Sequence, residues 1–314
     1  MLLAFLTMMA AAKEPRVPPA NSFSHFRFSL ADGFLTLGTV AYTVIPLIDD
    51  PSGYADPAGL LYEDGWGTGQ VDGLAAAIRD NDYRDRRAVA NVSDGFLWGS
   101  VGVAGVYGIG HIVAAAWDVK CSDKGDKAGC WVATRHAAAP LAVLTETITI
   151  GWVLNDVVKH AVERPRPYVY ACNQLIEDGQ ASENAAFCYR QYERATGSGE
   201  TDFVDSDRSF SFYSGHTGTT ATATFGVASV ILIEFFPRRF GPAVIAYGTA
   251  GLTTATVGAL RMGAGKHFLS DVLVGGAMGA GIGVLVPELH AHRIPVPTVA
   301  VIEGGAVVSM RGAL

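Results

Sequence analysis

FGPAVIAYGTAGLTTATVGAL, residues Phe240–Leu260, contains no Asp, Glu, Lys or Arg. A helix in water keeps a charged outer face, and this stretch has none. Its length matches the roughly 20 residues that a helix needs to cross a bilayer. Charge is equally absent from Gly33–Ile48, Gly95–Trp117, Ser209–Ile233 and Val272–Pro287, and His136–Asn155 holds only Glu146. Small residues crowd these runs, as in Gly275-Gly276-Ala277-Met278-Gly279-Ala280-Gly281. Such residues let membrane helices pack closely. The threonines of Thr217–Thr224 fit a span too, because their hydroxyls can bond their own helix backbone. The expected fold is all-α: a bundle of about six main helices over residues 29–290, spanning a membrane. A soluble bundle whose core helices are apolar all round is the alternative.

The whole chain agrees with that reading. Of 314 residues, 49% are hydrophobic and 17% charged, against about 25% charged in an average soluble domain. Thirty acidic residues against 23 basic give a net charge of -7. That excludes a generally basic nucleic-acid binder. The 37 glycines have no three-residue period, which excludes collagen, and four cysteines are too few to build a disulfide scaffold of this size.

The ends and loops differ from the runs. Met1–Ala12 is apolar and precedes Lys13, resembling a secretory signal that lacks its basic start. Residues 291–314 form a tail with prolines and alternating valines, suited to a terminal strand or to no fixed structure. Lys13, Arg16, Arg27, Lys120, Lys124, Lys127, Arg238 and Arg239 fall on one side of a six-span chain. The positive-inside rule makes that side cytoplasmic. Asp49–Asp94, Glu163–Arg208 and Gly263–Lys266 then share the extracytoplasmic side, although a cleaved signal would reverse the first crossing. Cys121 and Cys130 fall in one connection, Cys172 and Cys188 in the next, on opposite sides. Two disulfides would therefore require an exported, soluble (periplasmic) protein instead.

Three segments at the ends of apolar runs carry chemistry. In Lys159-His160-Ala161-Val162-Glu163-Arg164-Pro165-Arg166-Pro167, Lys159 and Arg166 are seven apart, one face of a helix, and the prolines stop that helix. Two fixed cations suit a multiply charged anion, and Arg can hold phosphate through two parallel hydrogen bonds. In Ser214-Gly215-His216, a hydroxyl and backbone N–H groups sit where a helix starts and anions are favoured. His216 adds a proton that moves near neutral pH. In Arg261-Met262-Gly263-Ala264-Gly265-Lys266-His267-Phe268-Leu269-Ser270-Asp271, a cation closes one run and two glycines permit a tight turn. His267 and Asp271 are four apart, so a helix would let the carboxylate fix the imidazole tautomer. Taken singly, the three also read as a basic helix terminus, a serine cap and an ion pair.

Taken together, Lys159-x6-Arg166-Pro167, Ser214-Gly215-His216 and Arg261-x5-His267-x3-Asp271 resemble the three-part signature of the type 2 phosphatidic acid phosphatase / vanadium haloperoxidase superfamily. The likeness covers residues 159–271. Two positions depart from it: Tyr213 stands where the family usually has Pro, and Leu260 where it usually has Ser. The resemblance implies that His267 attacks phosphorus to form a phosphohistidine, oriented by Asp271. It implies that His216 protonates the leaving oxygen and later activates water. Lys159, Arg166 and Arg261, with Ser214 and the Gly215 N–H, would cradle the phosphoryl oxygens.

The expected activity is metal-independent hydrolysis of a phosphomonoester or pyrophosphate, with no cofactor. The substrate would be a phosphorylated lipid, or a small phosphoester, met by a multi-pass cell-membrane protein with an extracytoplasmic site. A soluble exported acid phosphatase and a vanadate-dependent haloperoxidase fit the same cradle, and a catalytically silent scaffold is the non-enzymatic alternative. His111, Glu146 and Asp156 lie in or beside the runs and read equally well as helix contacts, so no catalytic role is assigned to them. Arg164 and Arg208 flank the signature as candidate substrate contacts.

Overall fold

The computed structural model describes residues 83–118, 127–164, 166–167, 210–292, 296–302 and 305–311. Five helices build the bundle: α1 (Tyr83–Asp118), α2 (Lys127–Val162), α3 (Gly215–Phe235), α4 (Phe240–Gly263) and α5 (Leu269–His292). They carry five of the six charge-poor runs. The first run lies outside the described residues, as do Met1–Ala12, Cys121, Cys172, Cys188 and Arg208, and the side chain of Cys130. Each helix is long and apolar enough to cross a membrane, over Arg87–Ala114, Ala137–Val162, Gly215–Phe235, Phe240–Gly263 and Leu269–Ala291. Val106, Phe240, Leu252 and Leu285 point outward, as a lipid-facing surface requires. The tail forms an antiparallel hairpin, β1 (Val296–Ile302) with β2 (Gly305–Arg311), in which Val299 faces Val308.

α3 is the central helix: 72% of its span is buried, against 28% in α1, α4 and α5. Two of its threonines serve the backbone as the sequence suggests. The Thr222 hydroxyl donates to the Gly218 carbonyl at 2.8 Å, and Thr224 to Thr220 at 2.7 Å. Self-bonding of this kind hides a hydroxyl from lipid, whereas the hydroxyl of the fully buried Thr220 has no hydrogen-bond partner among the described residues. Val143, Leu144, Ala223, Val227 and Val230 fill the core between α2 and α3.

The α3–α5 contact sets where the third segment lies. Gly275, Gly279 and Gly283 recur every fourth residue along one face of α5. A Cβ at Gly275 would lie 2.7 Å from the Ser214 carbonyl oxygen, and one at Gly283 2.9 Å from the Gly226 nitrogen. A Cβ at Gly279 would run into the Gly218 carbonyl. Any side chain on this stripe would push α5 off α3, and would carry the residues before α5 away from the start of α3. Gly258 of α4 makes the same kind of room for Val272.

Candidate active site

The turn between α4 and α5 presents His267. Ala264 N–H donates to the Leu260 carbonyl at 2.9 Å, Gly265 N–H to Met262 at 2.8 Å, and Lys266 N–H to Arg261 at 3.1 Å. Gly265 takes the left-handed conformation (φ 68) that closes this turn, while Gly263 remains the last residue of α4. Beneath it, Met262, Phe268 and Val272 form a small apolar cluster. The chain leaves α2 by a similar reversal: Glu163 has φ 47, and its N–H donates to the Lys159 carbonyl at 2.9 Å. α2 therefore ends before Arg166, as expected from the prolines, and Arg166 reaches the site from the turn. The Arg164 carbonyl accepts from Ser211 N–H at 2.9 Å, joining the first segment to the second.

His267 is 1% exposed. Its Nδ1–H donates to the Ser211 carbonyl at 2.8 Å, which leaves the lone pair on Nε2. Arg166 Nη1 lies 3.2 Å from that Nε2 and also donates to the Lys266 carbonyl at 3.0 Å. Burial holds the imidazole well below its ordinary pKa. The fields of Arg166, Arg261 and Lys159 push the same way, against a smaller opposing pull from the Ser211 carbonyl. The ring is thus neutral, inside a cluster of cations.

Asp271 lies beside His267 without a hydrogen bond to it. Its Oδ2 is 3.8 Å from His267 Nδ1, too far for a hydrogen bond, because α5 begins only at Leu269 and His267 precedes it. The carboxylate instead accepts from Arg164 Nη1 at 2.7 Å, from the Ser211 hydroxyl at 2.5 Å and from Phe268 N–H at 2.9 Å. The last is the backward half of a capping box at the start of α5. Ser211 bridges the two: its hydroxyl meets Asp271 and its carbonyl meets His267 Nδ1. Arg164, anticipated as a substrate contact, is consumed by Asp271 and Ser270 and packs its guanidinium 4.2 Å from the centre of the Phe268 ring.

The second segment opens α3. Ser214 is its N-cap: the hydroxyl is fully buried, 2.9 Å from the Thr217 hydroxyl and 3.4 Å from its N–H. The Ser214 N–H donates to the Asp271 carbonyl at 3.0 Å. The cap reading thus describes Ser214 better than the phosphate-ligand reading, and the helix start itself remains the anion-favouring feature. Gly215 faces α2, where a Cβ would lie 2.7 Å from Asn155 Oδ1 and 3.4 Å from Lys159 Nζ. Asn155 Nδ2 in turn donates to the Tyr213 carbonyl at 2.8 Å. Tyr213 is 2% exposed and lies over Gly218 and Gly275, where a Cβ would come within 3.2 and 3.3 Å of its ring. Burial pushes its phenol up to about 12, so it stays neutral.

His216 completes the group. Its Nε2–H donates to Asp94 Oδ1 at 2.7 Å. Arg261 Nη1 donates to the Ser93 hydroxyl at 3.2 Å and lies 3.4 Å from Asp94 Oδ1. The structure therefore brings Lys159, Arg166, Gly215, His216, Arg261 and His267 to one end of the bundle. Asp94 near the start of α1, Arg164 after α2 and Lys266 before α5 meet at that end. Ser211, Asn155 and Asp94 were not anticipated. Only Asp94 left a trace in the sequence, as the acidic residue bordering the charge-free Gly95–Trp117. Among the described residues, no group of three or more His, Cys, Asp or Glu side chains is arranged to hold a metal ion. A neutral buried imidazole, three cations and a helix start together can bind a tetrahedral anion and attack it.

The model of one family, the PAP2 superfamily, matches residues 140–295. Among solved structures, the chain is similar to a transmembrane PAP2-type phosphatidylglycerolphosphate phosphatase from Bacillus subtilis. The two are 19% identical, with a TM-score of 0.39, over 82% of this chain and 96% of that one. No curated protein matches.

Proposed function

From the membership of the chain in the PAP2 superfamily through residues 140–295, which makes it a phosphoric ester hydrolase, we propose that it removes phosphate from a lipid phosphomonoester or pyrophosphate through a phosphohistidine on His267. The observation that carries this reading is the state of His267: Nδ1 tied to the Ser211 carbonyl, Nε2 beside Arg166, and three cations acting on the ring.

In the first half of the reaction, the Nε2 lone pair forms an N–P bond as the P–O bond to the leaving group breaks. His216 supplies the proton that the leaving oxygen takes. Arg166, Arg261 and Lys159 offset the charge on the phosphoryl oxygens, which is where phosphoryl transfer gains most. In the second half, water attacks phosphorus, the N–P bond breaks and His216 accepts the water's proton. Asp271 keeps Ser211 and Arg164 in place.

A lipid substrate is supported by the five membrane-length helices with the cluster at one end of them. An extracytoplasmic site is supported by Arg238 and Arg239, which join α3 to α4 at the other end and match a cytoplasmic turn. The test is phosphate release by the purified full-length protein in detergent, with a chelator present. The panel holds phosphatidate, an isoprenoid pyrophosphate and water-soluble esters. Lipid turnover that survives chelation, acid-quench trapping of labelled phosphate on His267, and its loss in His267→Ala are expected. Full turnover by His267→Ala would overturn the assignment of the nucleophile.

A further inference from the structure

Asp94 belongs to α1, outside the family-matched residues 140–295 and outside all three signature segments. It lies within the span Arg87–Ala114, where a carboxylate needs a partner to be tolerated. Its Oδ1 takes the Nε2–H of His216 at 2.7 Å and stands 3.4 Å from Arg261. The adjacent Ser93 is fully buried and accepts from the same guanidinium. The charged groups acting on His216 from the packed helices are Asp94 of α1, Lys159 of α2 and Arg261 of α4. Of these three, Asp94 alone is negative.

A histidine that first gives and then takes a proton must do so at a defined nitrogen. Nothing in the signature itself defines which one. We propose that Asp94 is the positioning residue of His216: by holding Nε2–H it makes Nδ1 the nitrogen that delivers the proton to the leaving oxygen and recovers one from water. This rests on the phosphatase reading above. Asp94 keeps the neutral ring in its Nε2–H tautomer. It also faces the ring with a negative charge when both nitrogens carry protons. The bookkeeping of atoms is simple: the Nδ1 proton leaves with the alcohol, and the next Nδ1 proton comes from the water whose oxygen goes to phosphate. Asp94 neither gains nor loses a proton.

The side chain of Asp94 is 46% exposed, and Asn keeps its size and its accepting oxygen, so the replacement leaves the packing of α1 in place. The experiment measures first-turnover release of the leaving group by full-length protein in detergent, before hydrolysis of the phosphoenzyme contributes. Two esters are compared at saturation: dodecyl phosphate, whose alkoxide needs a proton, and 4-nitrophenyl phosphate, whose phenolate does not. With Asp94→Asn, dodecanol release should slow about 100-fold, the scale of general acid catalysis. Nitrophenolate release should change less than about 3-fold on the same grounds. Asp94→Glu, which keeps a carboxylate, should restore part of the loss and guards against a folding defect in the Asn variant. In a His216→Ala background, Asp94→Asn should add little, as expected for residues that act as a unit.

Equal losses with both esters, or a rise in KM shared by both, would mean that Asp94 serves Arg261 and phosphate binding, and would overturn the proposal. So would unchanged dodecanol release. A wild-type protein that releases phosphate from neither ester would instead remove the phosphatase premise, an outcome distinct from any pattern among the Asp94 variants.

Discussion

The two ends of the bundle use the same residue types to opposite effect. α3 links them, with His216 at its start and Glu234 near its finish, about 27 Å apart at 1.5 Å per residue. At the far end, Tyr107 donates to Glu234 at 2.7 Å, His111 Nε2 lies 3.3 Å from the same carboxylate, and His290 Nε2 lies 3.1 Å from Glu146. Each of those histidines meets a carboxylate directly. At the site end, the carboxylate nearest His267 is 3.8 Å from its ring and already serves Arg164. Direct contacts to His267 come from a carbonyl and a guanidinium, and three cations act on it. A histidine with a matched acid and no converging cations is a finished helix contact; His216 also meets an acid, Asp94, but under the fields of Arg261 and Lys159. A buried histidine among converging cations is a place for an anion. His290 is nearly as enclosed as His267 and His111 is half-buried, so it is the sign and convergence of charge that distinguish the two ends.

Removing one charge at each place tests that distinction. The largest effect should come from Arg164→Ala. It leaves Asp271, which is fully buried, without its ion pair. Breaking a buried pair from one side costs about 3–5 kcal/mol, so thermal unfolding in detergent should show a large loss of stability. If Arg164→Ala instead melts like wild type but loses substrate affinity, Arg164 is a substrate contact after all. Next is Arg166→Ala, where turnover should carry the deficit: kcat/KM should fall about 100- to 1000-fold, as when one charge-stabilising donor is lost. Arg166→Lys should recover only part, because an ammonium cannot reproduce the planar fork. Smaller again is His290→Ala at the far end. It leaves the buried Glu146 short of a partner and should cost about 1–3 kcal/mol of stability. Turnover per folded molecule should stay close to wild type. A His290 variant as inactive as His267→Ala would erase the contrast between the ends.

Much of this was legible before any coordinates. Charge-free runs mark spans because lipid admits few alternatives, and five of the six are helices of the expected length. Gly275, Gly279 and Gly283 announce a close helix contact for the same reason. Lys159, Arg166, His216, Arg261 and His267 were legible because motif spacing survives folding. What was not legible is how the pieces dock. His267 and Asp271 stand four apart, but the helix that would have paired them starts two residues too late. The direct partner of His267 Nδ1 is a backbone carbonyl, at Ser211, and a carbonyl has no residue type to recognise. Asp94 is 122 positions from His216, so only the packing of α1 against α3 could join them. Ser214 shows the converse: the bland expectation, a helix cap, describes its hydroxyl.

The smallest expected effect tests the state of His267 through stability. Burial and the fields of Arg166, Arg261 and Lys159 hold its folded-state pKa well below the ordinary 6.5. As pH falls below that ordinary value, the unfolded chain binds a proton at His267 that the folded chain refuses. The unfolded state then binds more protons, so stability rises with pH in this window. The contribution is fully present above about 6.5 and is lost progressively below it, toward the depressed folded value. One such proton sets an upper slope of about 1.4 kcal/mol per pH unit. Subtracting the Tm profile of His267→Ala from that of wild type removes groups that titrate alike in both. The difference should be flat near neutrality and should turn against the wild type below about pH 6.5. A flat difference down to about pH 5 would mean that His267 takes its proton in the folded state as readily as in the unfolded one. In that case the cations would not be acting on the ring, and the site end would be no different in kind from the end where His111 meets Glu234.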